Sequence, residues 1–132
     1  MTSIGIDLVE IERFQRWHTY SDKQLRKIFS EQEIVYCRSI SSKSAERFAV
    51  RFAAKEALFK ALAPLYAKPI PLLTLCSNAE LTVRPTGVVW NVRWQAFAQY
   101  APGADTSKIT ISTSLSHTHT TACAVVIITL LP

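Results

Sequence analysis

From Arg47 to Leu62 the chain has no Gly or Pro and is rich in Ala, Leu, Arg, Lys and Glu, which predicts a helix. At about 100° per residue, Phe48, Phe52, Phe59 and Leu62 share one side. Ala49, Ala53 and Ala57 share another, where small side chains admit a close neighbour. A helix apolar nearly all round is a buried one. Yet Arg51, Lys55, Glu56 and Lys60 fall within ten residues of it. Arg51 and Lys55 at i,i+4 set two like charges side by side, an arrangement that an anion would relieve. Glu56 and Lys60 have the spacing and order of an ordinary helix ion pair, so the helix alone leaves a structural and a chemical role open.

Around it the period changes. Ile4, Ile6 and Leu8 alternate with Gly5, Asp7 and Val9, predicting a strand in which Gly5 and Asp7 share a face. Asp7 is there either an edge-strand acid in water, a cap for the next turn of chain, or a functional carboxylate. Residues 10–17 interleave polar and apolar side chains as a short helix does. Ser21–Gln24 and Ser30–Glu33 each match a capping box and predict helices over 22–29 and 31–38. Pro64, Pro69 and Pro71 mark an irregular connection. Strands are expected over 72–76, 79–84 and 88–94, broken by Ser77-Asn78 and Pro85-Thr86-Gly87 turns. Residues 94–100 suit a short helix and 101–105 a turn. Ile109 to His117 alternates as a strand, Ser116 to Thr120 suits a tight hairpin with exposed donors, and Thr121 to Leu131 reads as a central strand.

At 132 residues the chain is long enough for one domain, 1–132, with a proper core. A hydrophobic share of 48% excludes a disordered chain, and no apolar run reaches the roughly 18 residues of a membrane span. The N-terminal residues lack a signal-peptide pattern. Cys37, Cys76 and Cys123 are odd in number and widely spaced, which points to neither a disulfide framework nor a zinc site. A reduced cytoplasm is the expectation. The net charge of +5 suggests acidic partners. Arg13, Arg16, Lys23, Arg26 and Lys27 form the densest basic region, either a solvated face or a docking surface.

Three segments then point one way. Ile4-Gly5-Ile6-Asp7-Leu8-Val9-Glu10, Arg51-Phe52-Ala53-Ala54-Lys55-Glu56-Ala57-Leu58-Phe59-Lys60-Ala61 and Ser114-Leu115-Ser116-His117-Thr118 resemble, in order and spacing, the holo-acyl-carrier-protein synthases. These are the small, single-domain class of phosphopantetheinyl transferases. Phe29 to Glu33 and Tyr36-Cys37 extend the likeness over most of the chain.

The resemblance implies an α+β fold, a three-stranded antiparallel sheet packed on a long central helix, and a homotrimer with sites at its subunit interfaces. It implies transfer of 4′-phosphopantetheine from coenzyme A to a serine of an apo-acyl carrier protein in fatty acid or polyketide assembly, with no nucleic acid or membrane partner. By the same resemblance Asp7 and Glu56 hold magnesium, and Lys60 meets the pyrophosphate. Arg51, His117 and Thr118 surround the nucleotide phosphates and Arg13 docks the acidic carrier; the hydroxyl of Ser116 beside His117 is expected to join the first group, and Arg16, Arg26 and Lys27 of the basic region the second. Magnesium suits such a pair, being a hard cation that prefers oxygen ligands. The general base is open among Glu56, Asp7 and a metal-bound water.

This chain departs from the family at Ala63-Pro64-Leu65, where a glycine-containing loop is usual, and at Thr121, where an aromatic is usual. Residues 64–92 match poorly and are expected to serve subunit contacts and the pantetheine side. From another class, the alternative is a non-catalytic basic module binding an acidic protein or nucleic acid.

Overall fold

The computed structural model describes residues 1–132. Strand β1 (Thr2–Glu10) pairs antiparallel with β5 (Thr121–Leu130), and β5 with β4 (Ile109–His117). The sheet order is therefore β1-β5-β4, with the apolar C-terminal strand in the centre as its composition predicts. Helix α3 (Ser44–Leu62) lies across one face of this sheet, completing the expected α+β architecture. It begins three residues before the predicted start.

The alanine stripe of α3 is what lets the strand come close. Ala49, Ala53 and Ala57 are fully buried, and β1 passes so near that a Cβ on Gly5 would lie 1.9 Å from the Ala57 carbonyl oxygen. Only glycine fits there. One pleat earlier, the Ser3 hydroxyl donates to the Ala61 carbonyl oxygen at 2.6 Å. Gly5 and Ser3 thus fix the height of β1 against α3, and Asp7, two residues on and on the same face, is set beside the helix. Asp7 is on an edge strand as one reading had it, but its side chain is only 12% exposed.

Both capping boxes form. Ser21 and Gln24 start α1 (Asp22–Leu25), and Ser30 and Glu33 start α2 (Glu31–Arg38). α1 is one turn long rather than reaching residue 29; the chain then turns so that Leu25 and Phe29 are buried, with Phe29 against Phe48 and Trp17. Between β1 and α1 the short helix becomes two 3-10 turns, Ile11–Phe14 and Trp17–Thr19.

The strand expected at Leu72–Cys76 is a helix, α4 (Leu72–Asn78). A short apolar run satisfies either period, and tertiary contacts decide it. Here Leu75 N–H bonds back to the Pro71 carbonyl, the Asn78 amide closes on Thr74, and Leu75 and Cys76 are buried together. Strands β2 (Ala79–Arg84) and β3 (Gly87–Val92) then form a separate hairpin, tied to β4 where Trp90 Nε1 donates to Thr113 Oγ1 at 2.9 Å.

The far face of the main sheet is uncovered. Ile4, Ile6 and Leu8 are 65%, 54% and 63% exposed, and Ile127 continues the patch on the neighbouring strand. No helix is long and apolar enough to cross a membrane.

Candidate active site

α3 points its charges in three directions. Five residues separate Arg51 from Glu56, about 140° of rotation, and the same angle separates Arg47 from Lys60. Glu56 and Lys60 therefore flank the β1 side of the sheet, while Arg47 and Arg51 flank the β4 side. Lys55 points away from both, towards α2 and α4.

On the β1 flank, Lys60 does not pair with Glu56. Its ammonium reaches Asp7 Oδ1 at 3.0 Å and the Ile6 carbonyl at 2.9 Å. Asp7 Oδ2 is buried with no hydrogen-bond partner. Glu56 is half-buried nearby. Burial, and then the Asp7 carboxylate, push its carboxyl above the ordinary glutamate value, while Lys60 and Arg13 pull it down. Two close carboxylates, one with an orphaned oxygen, form a site whose hydrogen bonding is incomplete within the chain. Such a donor set fits a hard divalent cation that keeps waters of its own. Arg13 sits on the same flank, its guanidinium 5.0 Å from the Phe52 ring centroid and 5.5 Å from that of Phe14.

The β4 flank opens on a cavity of about 360 Å³ lined by Tyr36, Lys43, Glu46, Arg47, Arg51, Ser116 and His117, among others. Arg51 is buried, and its Nε has no partner. Thr118, at the hairpin tip, accepts at Oγ1 from the backbone N–H of Thr120 and Thr121, at 3.3 and 3.1 Å. Its acceptor capacity is thereby used in the turn, and its oxygen also lies 3.4 Å from the Thr120 hydroxyl. Neither Asp7, Glu56 nor Lys60 lines this cavity. The residues singled out from sequence thus divide into two groups, on opposite edge strands with α3 between them.

One expectation needs correction. The anion that relieves Lys55 is not a ligand. Its ammonium, wholly buried, donates to Glu33 Oε1, the Ile28 carbonyl and the Cys76 carbonyl at 2.7–2.8 Å. Glu33 looks like a capping residue and is one, accepting from Ser30 N–H, but it also accepts from Leu81 N–H at 3.1 Å. Sequence reasoning missed Lys43, Glu46, Arg47 and Tyr36 in the cavity. Arg47 lies four residues before Arg51, and that spacing was the available signal. The Arg47 and Arg51 guanidiniums lie 4.0 and 4.3 Å from the Tyr36 ring centroid.

Of the basic region, Arg26 lies within 3.9 Å of Asp22, whose carboxyl Arg38 holds below its usual range. Arg16 and Lys27 are exposed and make no ion pair.

The sequence matches the 4′-phosphopantetheinyl transferase superfamily over residues 3–123, and the chain belongs to that family. Holo-[acyl-carrier-protein] synthase of Treponema denticola is 39% identical over 126 residues, covering 95% of each chain. That of Chlamydia trachomatis serovar L2 is 52% identical over 63 residues, 47% of this chain and 52% of its own length, so there the match spans about half of the relative. A solved structure of Helicobacter pylori holo-[acyl-carrier-protein] synthase in complex with coenzyme A superposes with a TM-score of 0.69 at 27% identity, covering 96% of this chain and 99% of that one.

Proposed function

We propose that this chain transfers the 4′-phosphopantetheine group of coenzyme A to a serine hydroxyl of an apo-acyl carrier protein, releasing adenosine 3′,5′-bisphosphate. The observation that carries the reading is the Asp7–Lys60 contact beside Glu56, with Asp7 Oδ2 left free. Asp7 and Glu56 would hold magnesium, which when bound neutralises pyrophosphate charge and fixes its orientation. Lys60, at the exposed end of this group, is a mobile point charge suited to the pyrophosphate oxygens and to the departing phosphate. Arg51 and the hydroxyl and ring donors of Ser116, His117 and Thr118 suit the nucleotide phosphates. Arg13, near enough to Glu56 to lower its carboxyl, and the exposed Arg16 suit an acidic carrier protein, with Arg26 and Lys27 contributing from the same basic region. Membership of the family does not favour the non-catalytic basic module.

The separation of the two groups supports sites shared between copies, in a homotrimer, and the three free cysteines fit a reduced cytoplasm. The metal-binding group of one copy would meet the nucleotide-binding group of the next. The uncovered Ile4, Ile6, Leu8 and Ile127 face offers apolar area for that contact. The number three follows from the resemblance.

Incubating the protein with an apo carrier protein, coenzyme A and magnesium should add one phosphopantetheine mass to the carrier by mass spectrometry. No added mass overturns the reading. Mixing Glu56→Gln with His117→Ala, each inactive alone, should restore part of the activity; a fully active monomer by sedimentation overturns the shared site.

A further inference from the structure

Within the cavity on the β4 flank one side chain has the wrong sign. Lys43, Arg47, Arg51 and His117 line it with cationic or donor groups, and Glu46 is its one carboxylate. Glu46 does not face away. Its Oε1 lies 3.3 Å from His117 Nε2 and its Oε2 lies 3.9 Å from Lys43 Nζ. Each carboxylate oxygen is thus turned to a different donor of the cavity, as two oxygens of a phosphate would be.

The arrangement leaves His117 little choice. With Nδ1 facing the Thr118 carbonyl at 3.4 Å, Nε2 donates to Glu46 only in the imidazolium form, in which both ring nitrogens carry hydrogen, and that is also the form that would donate to a phosphate. Arg47 is already engaged, donating to the Tyr36 carbonyl and Ser39 Oγ at 2.9 Å. Arg51 Nε alone is buried and unpartnered among the cavity's donors. A phosphate entering the cavity meets a guanidinium with one unpartnered N–H, Arg51 Nε, and two further donors, His117 and Lys43, that face Glu46.

We infer that Glu46 is an internal counter-ion of the nucleotide pocket, which a nucleotide phosphate must displace from His117 and Lys43 before it binds fully. The inference rests on the functional reading above. It makes Glu46 an affinity-setting residue: its carboxylate weakens the hold on coenzyme A and, equally, on the bisphosphate product. Both partners are partly exposed, so the effect is that of a solvent-screened pair, about twofold to fivefold in affinity.

The test is calorimetric titration of adenosine 3′,5′-bisphosphate into the full-length protein, its Glu46→Gln and His117→Gln variants, and the double variant. Glu46→Gln should tighten binding about twofold to fivefold, with KM for coenzyme A falling alongside and KM for the carrier protein unchanged. The gain should shrink at high salt and largely vanish in the His117→Gln background, a coupling that a purely structural role does not produce. Glu46→Asp keeps the charge but shortens its reach, and should move affinity the same way by less; it carries the test if Glu46→Gln does not fold. If wild type binds the bisphosphate while the folded Glu46 variants bind no more tightly, the inference fails alone, and weaker binding would make Glu46 a positioning residue for His117. If wild type does not bind it at all, the functional reading fails and this inference with it.

Discussion

Two lysines five residues apart on α3 are in opposite situations. Lys55 is wholly buried and spends its three protons on Glu33 Oε1, Ile28 O and Cys76 O, while Glu33 is completed by Ser30 and Leu81 backbone N–H groups. Lys60 is half exposed, and its partner Asp7 keeps an unbonded buried oxygen beside a second carboxylate, Glu56. Both pairs join α3 to another element. The first is closed: every atom is satisfied within the chain, and it locks α2, α3, α4 and β2 together. The second is open: Asp7 Oδ2 has no partner within the chain. Satisfaction, more than burial or charge, separates the structural pair from the one proposed to carry the chemistry.

The largest effect should come from breaking the closed pair. Lys55→Ala leaves the Glu33 carboxylate buried and unpaired, at a cost of about 3–5 kcal/mol. Chemical denaturation should show the loss. Replacing both partners by Met and Leu is often harmless for a buried pair, but here it would strand the Leu81 and Ser30 N–H groups and the Ile28 and Cys76 carbonyls. The double variant should therefore remain well below wild type, and full recovery would show that the network is not closed as described.

Breaking the open pair should do the reverse. Asp7→Asn and Glu56→Gln should abolish most transfer, at least about a hundredfold if a metal's several kcal/mol of charge stabilisation is lost. Stability should hold. The Glu56 carboxyl is raised in the folded state, so its charged form is a burden that grows as pH rises through its titration, and Glu56→Gln removes that burden. Denaturation midpoints above neutral pH should be equal to or higher than wild type. A marked fall would place Glu56 with Lys55 as a structural group.

The same distinction explains how much was legible in the sequence. The helix, the sheet and its central strand were readable because periodicity and composition agree with the tertiary outcome there. The alanine stripe announced a close approach, and Asp7 announced itself as a misplaced acid in an apolar strand. The partners were not readable. The spacing of Glu56 and Lys60 offers an i,i+4 bridge, yet Lys60 goes to Asp7, because β1 is held against α3 by contacts far apart in sequence. Glu33 shows only its capping role in sequence, since Lys55 reaches it through the packing of α2 on α3. Residues 72–76 carry a pattern that fits both periods, and only burial of Leu75 and Cys76 chose the helix. Glu46 and Lys43 had no motif at all; the hairpin bearing His117 brings them into use.

Charge reversal at the surface should have intermediate effects, graded by distance from the open pair. Arg13 lies near enough to Glu56 to lower its carboxyl, and packs on Phe52 and Phe14. Arg13→Glu should raise KM for the carrier protein about tenfold at low salt, with a smaller change in KM for coenzyme A. Arg26→Glu should do less, because Arg26 is exposed and already near Asp22. Equal changes in both KM values would move Arg13 from docking to the nucleotide or the fold.

The smallest effect on the protein itself should come from its thiols, and it probes the closed pair without disturbing the site. Burial pushes the Cys37 thiol up to about 12 and the Cys76 thiol up to about 11, from an ordinary 9.0. A raised value means less thiolate at a given pH, and thiolate is the reactive form. At pH 8 the thiolate fractions should lie about a thousandfold and a hundredfold below that of a free thiol, before access is considered. Cys123 is half-buried on the uncovered face of the sheet. Iodoacetamide at pH 8 should therefore leave native Cys37 and Cys76 unmodified on a timescale that labels Cys123 when the protein is dilute. Labelling of Cys123 should slow at high protein concentration if copies cover that face. Lys55→Ala should expose Cys76 to label, since the Cys76 carbonyl is one of the three acceptors that Lys55 holds. Rapid labelling of Cys76 in the wild type would mean that the closed network opens readily, and the contrast between the two lysines would then be one of degree.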